Sequence, residues 1–163
     1  NPSLENKEAV AHAVGVGAVI FHDLKNDRTN NFDFALEEVV QFEGETGPYV
    51  QYTHARAMSI LRKANHTVDT KEAFSLTDDD AWEVLKLIEN YPNVVRFAEE
   101  KCEPSAIAKF VINLAQAFNK YYAHTKVLVE DEAFNSRIAL VQTTASILKQ
   151  GLALLGVAAP DEM

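Results

Sequence analysis

From Pro48 onward, apolar residues recur at three- and four-residue intervals, the period of helices that bury one face. The clearest run is Ile107, Phe110, Val111, Leu114, Phe118 and Tyr121, in a helix opened by Pro104. A second run, Ile138, Val141, Ala145, Leu148, Leu152 and Leu155, predicts a last helix from about Asn135 to Leu155, with Gly156 as its stop. Between Pro48 and Ala64, Ala55, Met58 and Leu61 form an apolar side with Val50 and Ala57 alongside. Pro48 suits the first turn, where its missing N–H costs nothing. Thr77 with Asp78, Asp79 and Asp80 predicts an N-terminal cap, hydroxyl to backbone N–H and carboxylates on the positive helix end. Trp82, Leu85 and Ile88, beside Val84 and Leu87, carry the apolar face of that helix to Asn90. Pro92 predicts a break or restart, followed by a short helix from Val94 to Lys101. Asn65 to Ser75 reads as a polar connection. The class predicted is an all-α bundle of four or five helices with short connections.

The first 45 or so residues read differently. A short helix from Glu5 to Val14 precedes Gly15-Val16-Gly17, where a backbone bend is expected. Ala18 to His22 fits a short strand or a buried helix equally well. Asp23 to Asn31 is polar and turn-forming, and Phe34 to Gln41 predicts a short amphipathic helix. A boundary is expected near Glu45, dividing residues 1–45 from a helical domain at 46–163.

The chain has 163 residues, 47% of them apolar, which suffices for one ordinary core and excludes a disordered chain. Its single cysteine, Cys102, excludes an internal disulfide framework and a multi-cysteine metal site, and reads as a packed, partly buried side chain. No apolar run approaches the ~20 residues that span a bilayer. The start, Asn1-Pro2-Ser3-Leu4-Glu5, has neither a basic n-region nor an initiator Met. A cytoplasmic piece of a longer protein is therefore expected, with a monomer as the default state. The net charge of −9 argues against a general nucleic-acid binder, because phosphate neutralisation needs clustered cations. Binding by base stacking and a few placed cations remains compatible with it.

Candidate chemistry is sparse. Gly15-x-Gly17 lacks the third glycine and the βαβ context of a dinucleotide loop. The five histidines show no paired ligand spacing on a helix. No nucleophile–base motif stands out, and the aspartates at 78–80 read as a cap rather than a metal site. No catalytic residue and no metal ligand is assigned.

The stretch from Phe42 to Arg56 is richer. It joins a glycine-bounded acidic turn, Gly44 to Gly47, to a helix carrying Tyr49, Gln51, Tyr52, His54 and Arg56. Tyr49, Tyr52 and Arg56 at i, i+3 and i+7 share one side. Such rings can stack on unpaired bases, or serve as amphipathic residues at the edge of a core. A second cluster runs from Asn119 to Lys126. Tyr121 continues the apolar stripe, so Tyr122 and Lys126, four apart, are expected to face outward, either as a solvated surface or as an RNA contact.

The order of these residues resembles the arginyl-tRNA synthetases, a class I family. Phe42 to Arg56 is similar to its Phe-Glu-Gly-x-Thr-Gly-Pro-Tyr-x-Gln-Tyr-x-His-x-Arg signature. Val14 to Ala18 with Phe32-Asp33-Phe34 resembles the region linking its catalytic core to its helical domain. Leu114 to Leu128 resembles a later block, in which Lys126 stands where the family usually has Arg. Arg137 to Met163 resembles the family's C-terminus.

The resemblance implies a DALR-type helical anticodon-binding domain, preceded by a short mixed segment at the end of the stem-contact region. It implies tRNA-binding positions at Gly44, Thr46, Tyr49, Gln51, Tyr52, His54, Arg56, Tyr122, Lys126 and Met163, with Gln51, His54 and Arg56 open to a structural role instead. The implied partners are the tRNA-Arg anticodon stem-loop and an upstream catalytic domain. The parent would ligate arginine to tRNA with ATP and Mg. This chain lacks the HIGH and KMSKS motifs, so it carries no cofactor of its own and is expected to be inactive alone. The alternatives are a stand-alone helical protein-interaction module, or the anticodon domain of another class I synthetase such as the cysteinyl or methionyl enzyme. The Gly-Pro-Tyr-x-Gln-Tyr-x-His block argues against that last option.

Overall fold

A computed structural model describes residues 4, 6–72 and 74–163. Its elements are α1 (Lys7–Lys25), α2 (Leu36–Val39), α3 (Gly47–Ala64), α4 (Asp79–Lys101), α5 (Ser105–His124) and α6 (Phe134–Leu154), with no strand among the described residues. The helix expected from Glu5 thus begins, as far as described, at Lys7, and Glu5 itself lies outside the described residues.

Helix α5 is the hub, packing on α1, α3, α4 and α6. Its stripe of Phe110, Val111, Leu114, Phe118 and Tyr121 is buried to 4% exposure or less. Helix α6 lies against α3, α4 and α5 and contributes Ile138, Val141, Leu148 and Leu152. Burial of the Tyr121 hydroxyl raises the phenol's pKa well above its ordinary value of 10.0.

Several local expectations change. Gly15 and Gly17 do not bend the chain; α1 runs through both and continues as helix over Ala18 to His22. Gly17 serves a close approach instead. A Cβ there would lie 2.8 Å from Gln51 Nε2, and one on Gly47 would lie 3.0 Å from the Gly17 carbonyl oxygen. These two glycines let the middle of α1 touch the first turn of α3.

Pro92 lies inside α4 without ending it. Asp78 rather than Thr77 is the N-cap, accepting from Ala81 N–H at 2.7 Å. The buried face of α4 is set by Ala81 and Val84, which turns Trp82 out to 60% exposure. The helix expected over Phe34 to Gln41 shrinks to the single turn α2, because Phe32 and Phe34 pack edge-on against His22 of α1. Cys102 is exposed, in the left-handed conformation that ends α4.

Candidate nucleic-acid interface

Thr46 fixes the start of α3. Its hydroxyl accepts the Tyr49 N–H at 3.1 Å and donates to the Gln41 carbonyl at 2.5 Å, closing the exposed turn that contains Gly44 at φ 74°. Glycine takes that left-handed conformation without strain. From this fixed start, the motif residues of α3 divide between two faces.

On the outer face lie Tyr52 and Arg56. The Arg56 guanidinium sits 4.9 Å from the centroid of the Tyr52 ring and 5.7 Å from that of Tyr122, which projects from the end of α5. Each tyrosine is about four-tenths exposed. Asn119 of α5 holds the group in place: its side-chain oxygen accepts from Arg56, and its amide donates to the Tyr49 hydroxyl at 3.0 Å and to Thr53 Oγ1 at 2.9 Å. The Phe42 ring meets Tyr52 edge-on at 6.2 Å. A cation between two aromatic faces is favourable in itself, and it leaves the outer ring surfaces free.

On the inner face, Gln51 and His54 are 0% and 1% exposed. Gln51 donates to the Ala13 carbonyl at 3.2 Å and the Ala158 carbonyl at 2.8 Å, joining α1 to the final segment. His54 reaches the Ala145 carbonyl at 3.1 Å with Nδ1 and an Asp161 carboxylate oxygen at 3.0 Å with Nε2. Both partners are acceptors, so the ring satisfies both only by donating twice. The hydrogen bond from His54 is the main cause holding the Asp161 carboxyl below its ordinary value, assisted by Lys149. Neither Gln51 nor His54 reaches the surface; both lie in the seat of residues 157–163.

That seat forms one wall of an open cleft of about 420 Å³. Tyr52, Arg56 and Tyr122 form its floor, Met163 and Glu162 one side, and Leu128 another. Leu128 is positioned by Arg137, which is nine-tenths buried and donates to the carbonyls on either side, those of Val127 and Val129. Lys126 is exposed beyond the end of α5 rather than one helical turn from Tyr122, because α5 stops at His124 with Thr125 extended. It does not line the cleft. Of the ten expected positions, the structure therefore gathers Tyr52, Arg56, Tyr122 and Met163. Thr46, Tyr49, Gln51 and His54 build their support, and Gly44 and Lys126 are exposed and do not line the cleft.

Residues not expected from the sequence also line the cleft: Ser59, Arg62, Lys63, Leu128 and Glu162. Positions 52, 56, 59 and 63 follow one helical stripe, so extending the line beyond Arg56 would have reached Ser59 and Lys63. Nothing local marks Asp161 or Glu162, since they meet α3 only through the return of the chain end.

Among the described residues the chain is a helical bundle with an open cleft in which Arg56 lies against the rings of Tyr52 and Tyr122. The chain belongs to the DALR anticodon binding domain family, which residues 50–163 match. Over all 163 residues it is 65% identical to an arginine–tRNA ligase of Enterococcus faecalis and 58% identical to one of Streptococcus thermophilus, in each case covering 29% of that protein. Arginyl-tRNA synthetase of Thermus thermophilus matches in structure with a TM-score of 0.92 at 36% identity, over 100% of this chain and 29% of that one. The Plasmodium falciparum enzyme matches with a TM-score of 0.88 at 26% identity, over 95% and 28%. The chain thus spans under a third of the length of these relatives. Among the described residues no helix is long and apolar enough to cross a membrane.

Proposed function

We propose that this chain recognises the anticodon loop of tRNA-Arg as one domain of a longer arginyl-tRNA synthetase. The observation that carries this reading is the Tyr52–Arg56–Tyr122 group, half-exposed rings held apart by a guanidinium on a hydrogen-bonded frame. Unstacked bases of an RNA loop are read by such surfaces, through ring stacking and hydrogen bonds to base edges. The family match and the identities to arginine–tRNA ligases support the same ligand.

In this reading Tyr52, Arg56, Tyr122 and Met163 touch bases, with the Gly44–Thr46 turn and Lys126 at the edges of the loop. Gln51 and His54 act indirectly, by seating the chain end. Residues 1–45 continue from the region beneath the catalytic domain, and their exposed Phe34 and Leu36 face that body. Arginine activation with ATP and Mg belongs to the longer protein, in the cytoplasm. Among the described residues no cluster of metal-ligating side chains comes together.

The test is binding of a labelled tRNA-Arg anticodon stem-loop to this chain and to the full-length protein. The expected result is measurable affinity at low salt that falls when the anticodon bases are substituted and the stem is kept. Equal affinity for cognate and substituted loops would overturn the assignment and favour a protein-interaction module.

A further inference from the structure

The cleft holds more positive charge than base stacking requires. Arg56, Arg62 and Lys63 all line it, together with the Ser59 hydroxyl, in a chain whose net charge is −9. Lys63 is exposed and has no ion-pair partner among the described residues. Arg62 is held by the chain end: it donates to the Asp161 carbonyl at 3.2 Å and pairs with the Glu162 carboxylate at 3.3 Å. Both members of that pair are about half exposed.

We infer that Arg62 and Lys63, with Ser59 between them and the rings, form a seat for a backbone phosphodiester of single-stranded RNA, and that Glu162 occupies the seat until RNA displaces it. The inference rests on the anticodon-loop reading given above and names the part of the ligand this end of the cleft takes. Splayed bases stacked on Tyr52 and Tyr122 carry their phosphates to one side, and the stripe 52–56–59–63 extends the floor of the cleft in one direction along α3. Arginine matches a phosphate with two parallel N–H donors, and lysine serves as a point charge. An exposed Arg–Glu pair is weak, so exchanging the carboxylate for a phosphodiester is easy. Glu162 holds the arginine in place meanwhile.

Cations in the last turn of a helix also suit its negative end. That role would appear in stability and leave the salt dependence of binding unchanged. The discriminating measurement is therefore the slope of log affinity against log salt for the tRNA-Arg anticodon stem-loop, with the thermal midpoint of each variant recorded alongside. Arg62→Gln and Lys63→Gln are each expected to lower the slope by part of the ~0.7 that one phosphate contributes on a single strand, and the double variant by the whole of it. Glu162→Gln is expected to tighten binding about 2- to 5-fold at low salt, in keeping with the loss of a weak exposed pair. Wild-type slopes in both cation variants, or weaker binding by Glu162→Gln, overturn the seat while leaving the functional reading intact. No binding by the wild-type chain or the full-length protein overturns both.

Discussion

Removing the Tyr52 ring should separate recognition from folding. Within the fold, the ring makes one edge-on contact with Phe42 at 6.2 Å and one cation–π contact with Arg56 at 4.9 Å. It is otherwise 42% exposed. An aromatic pair contributes ~0.5–1.5 kcal/mol and an exposed cation–π contact ~0.5–1 kcal/mol. Tyr52→Ala should therefore cost about 1–2 kcal/mol of stability, a fall of several degrees in thermal midpoint for a chain of this size. A stacked base contributes ~1–3 kcal/mol of binding, so affinity for the tRNA-Arg anticodon stem-loop should drop about 5- to 150-fold. Tyr52→Phe keeps the ring and should retain most of the affinity. Tyr122→Ala should behave like Tyr52→Ala. The double variant should lose less than the sum, because both rings share Arg56. Fluorescence anisotropy well below the midpoint of each variant measures the effect without interference from unfolding. Wild-type affinity in both alanine variants would refute the stacking role.

Other expectations concern the frame. Gly151→Ala drives a Cβ into Val111 Cγ1 where α5 meets α6. The overpacking costs ~1–3 kcal/mol and exceeds most of the ~1 kcal/mol gained in helix propensity, so the thermal midpoint should fall; a rise would contradict this packing. Gln51→Met removes two hydrogen bonds of ~0.5–1.5 kcal/mol each but also removes a buried Oε1 that has no partner. The net loss should be about 1 kcal/mol, read as faster amide hydrogen exchange over residues 157–163, and unchanged exchange there would refute the clasp. Asp161 titrates below its ordinary value of 3.8, chiefly because His54 donates to it. Its contribution is fully present above that value and is lost as pH falls through the lower folded value. The chemical shifts of the His54 side chain and of the Asp161 amide should therefore show a step in that acid range in the wild type that Asp161→Asn lacks.

Much of the bundle was legible because helical period and cap residues are local signals. The stripes of α5 and α6 and the start of α3 near Pro48 follow directly from residue type and spacing. The larger failures involve contacts distant in sequence, whereas the shift of the cap from Thr77 to Asp78 and the end of α5 before Lys126 are local. Gly15 and Gly17 look like a bend until the approach of Gly47 and Gln51 explains the missing side chain at Gly17. Trp82 looks like core until Ala81 shows which face of α4 meets its neighbours. Pro92 looks like a stop, yet flanking turns packed through Ile88, Tyr91 and Val95 keep the helix intact. At the candidate site the exposed rings were readable as chemistry, but the partners that aim them were not. Asn119, Asp161 and Arg137 act over separations of 63, 107 and 10 residues.

The motif from Tyr49 to Arg56 is dense because one helix serves two purposes at once. Gln51 and His54 point inward and hold the chain end with buried hydrogen bonds, while Tyr52 and Arg56 point outward and form the floor of the cleft. The two faces are coupled through the object they share. The segment that Gln51 and His54 seat brings Glu162 and Met163 to the cleft beside Tyr52 and Arg56. A change on the inner face therefore reaches the cleft without lying in it, by loosening one wall. The outer face cannot be moved to another helix and keep that wall, because the seat and the floor are successive turns of α3. This geometric dependence explains why one short stretch includes both fully buried polar side chains, Gln51 and His54, and an exposed ring, Tyr52.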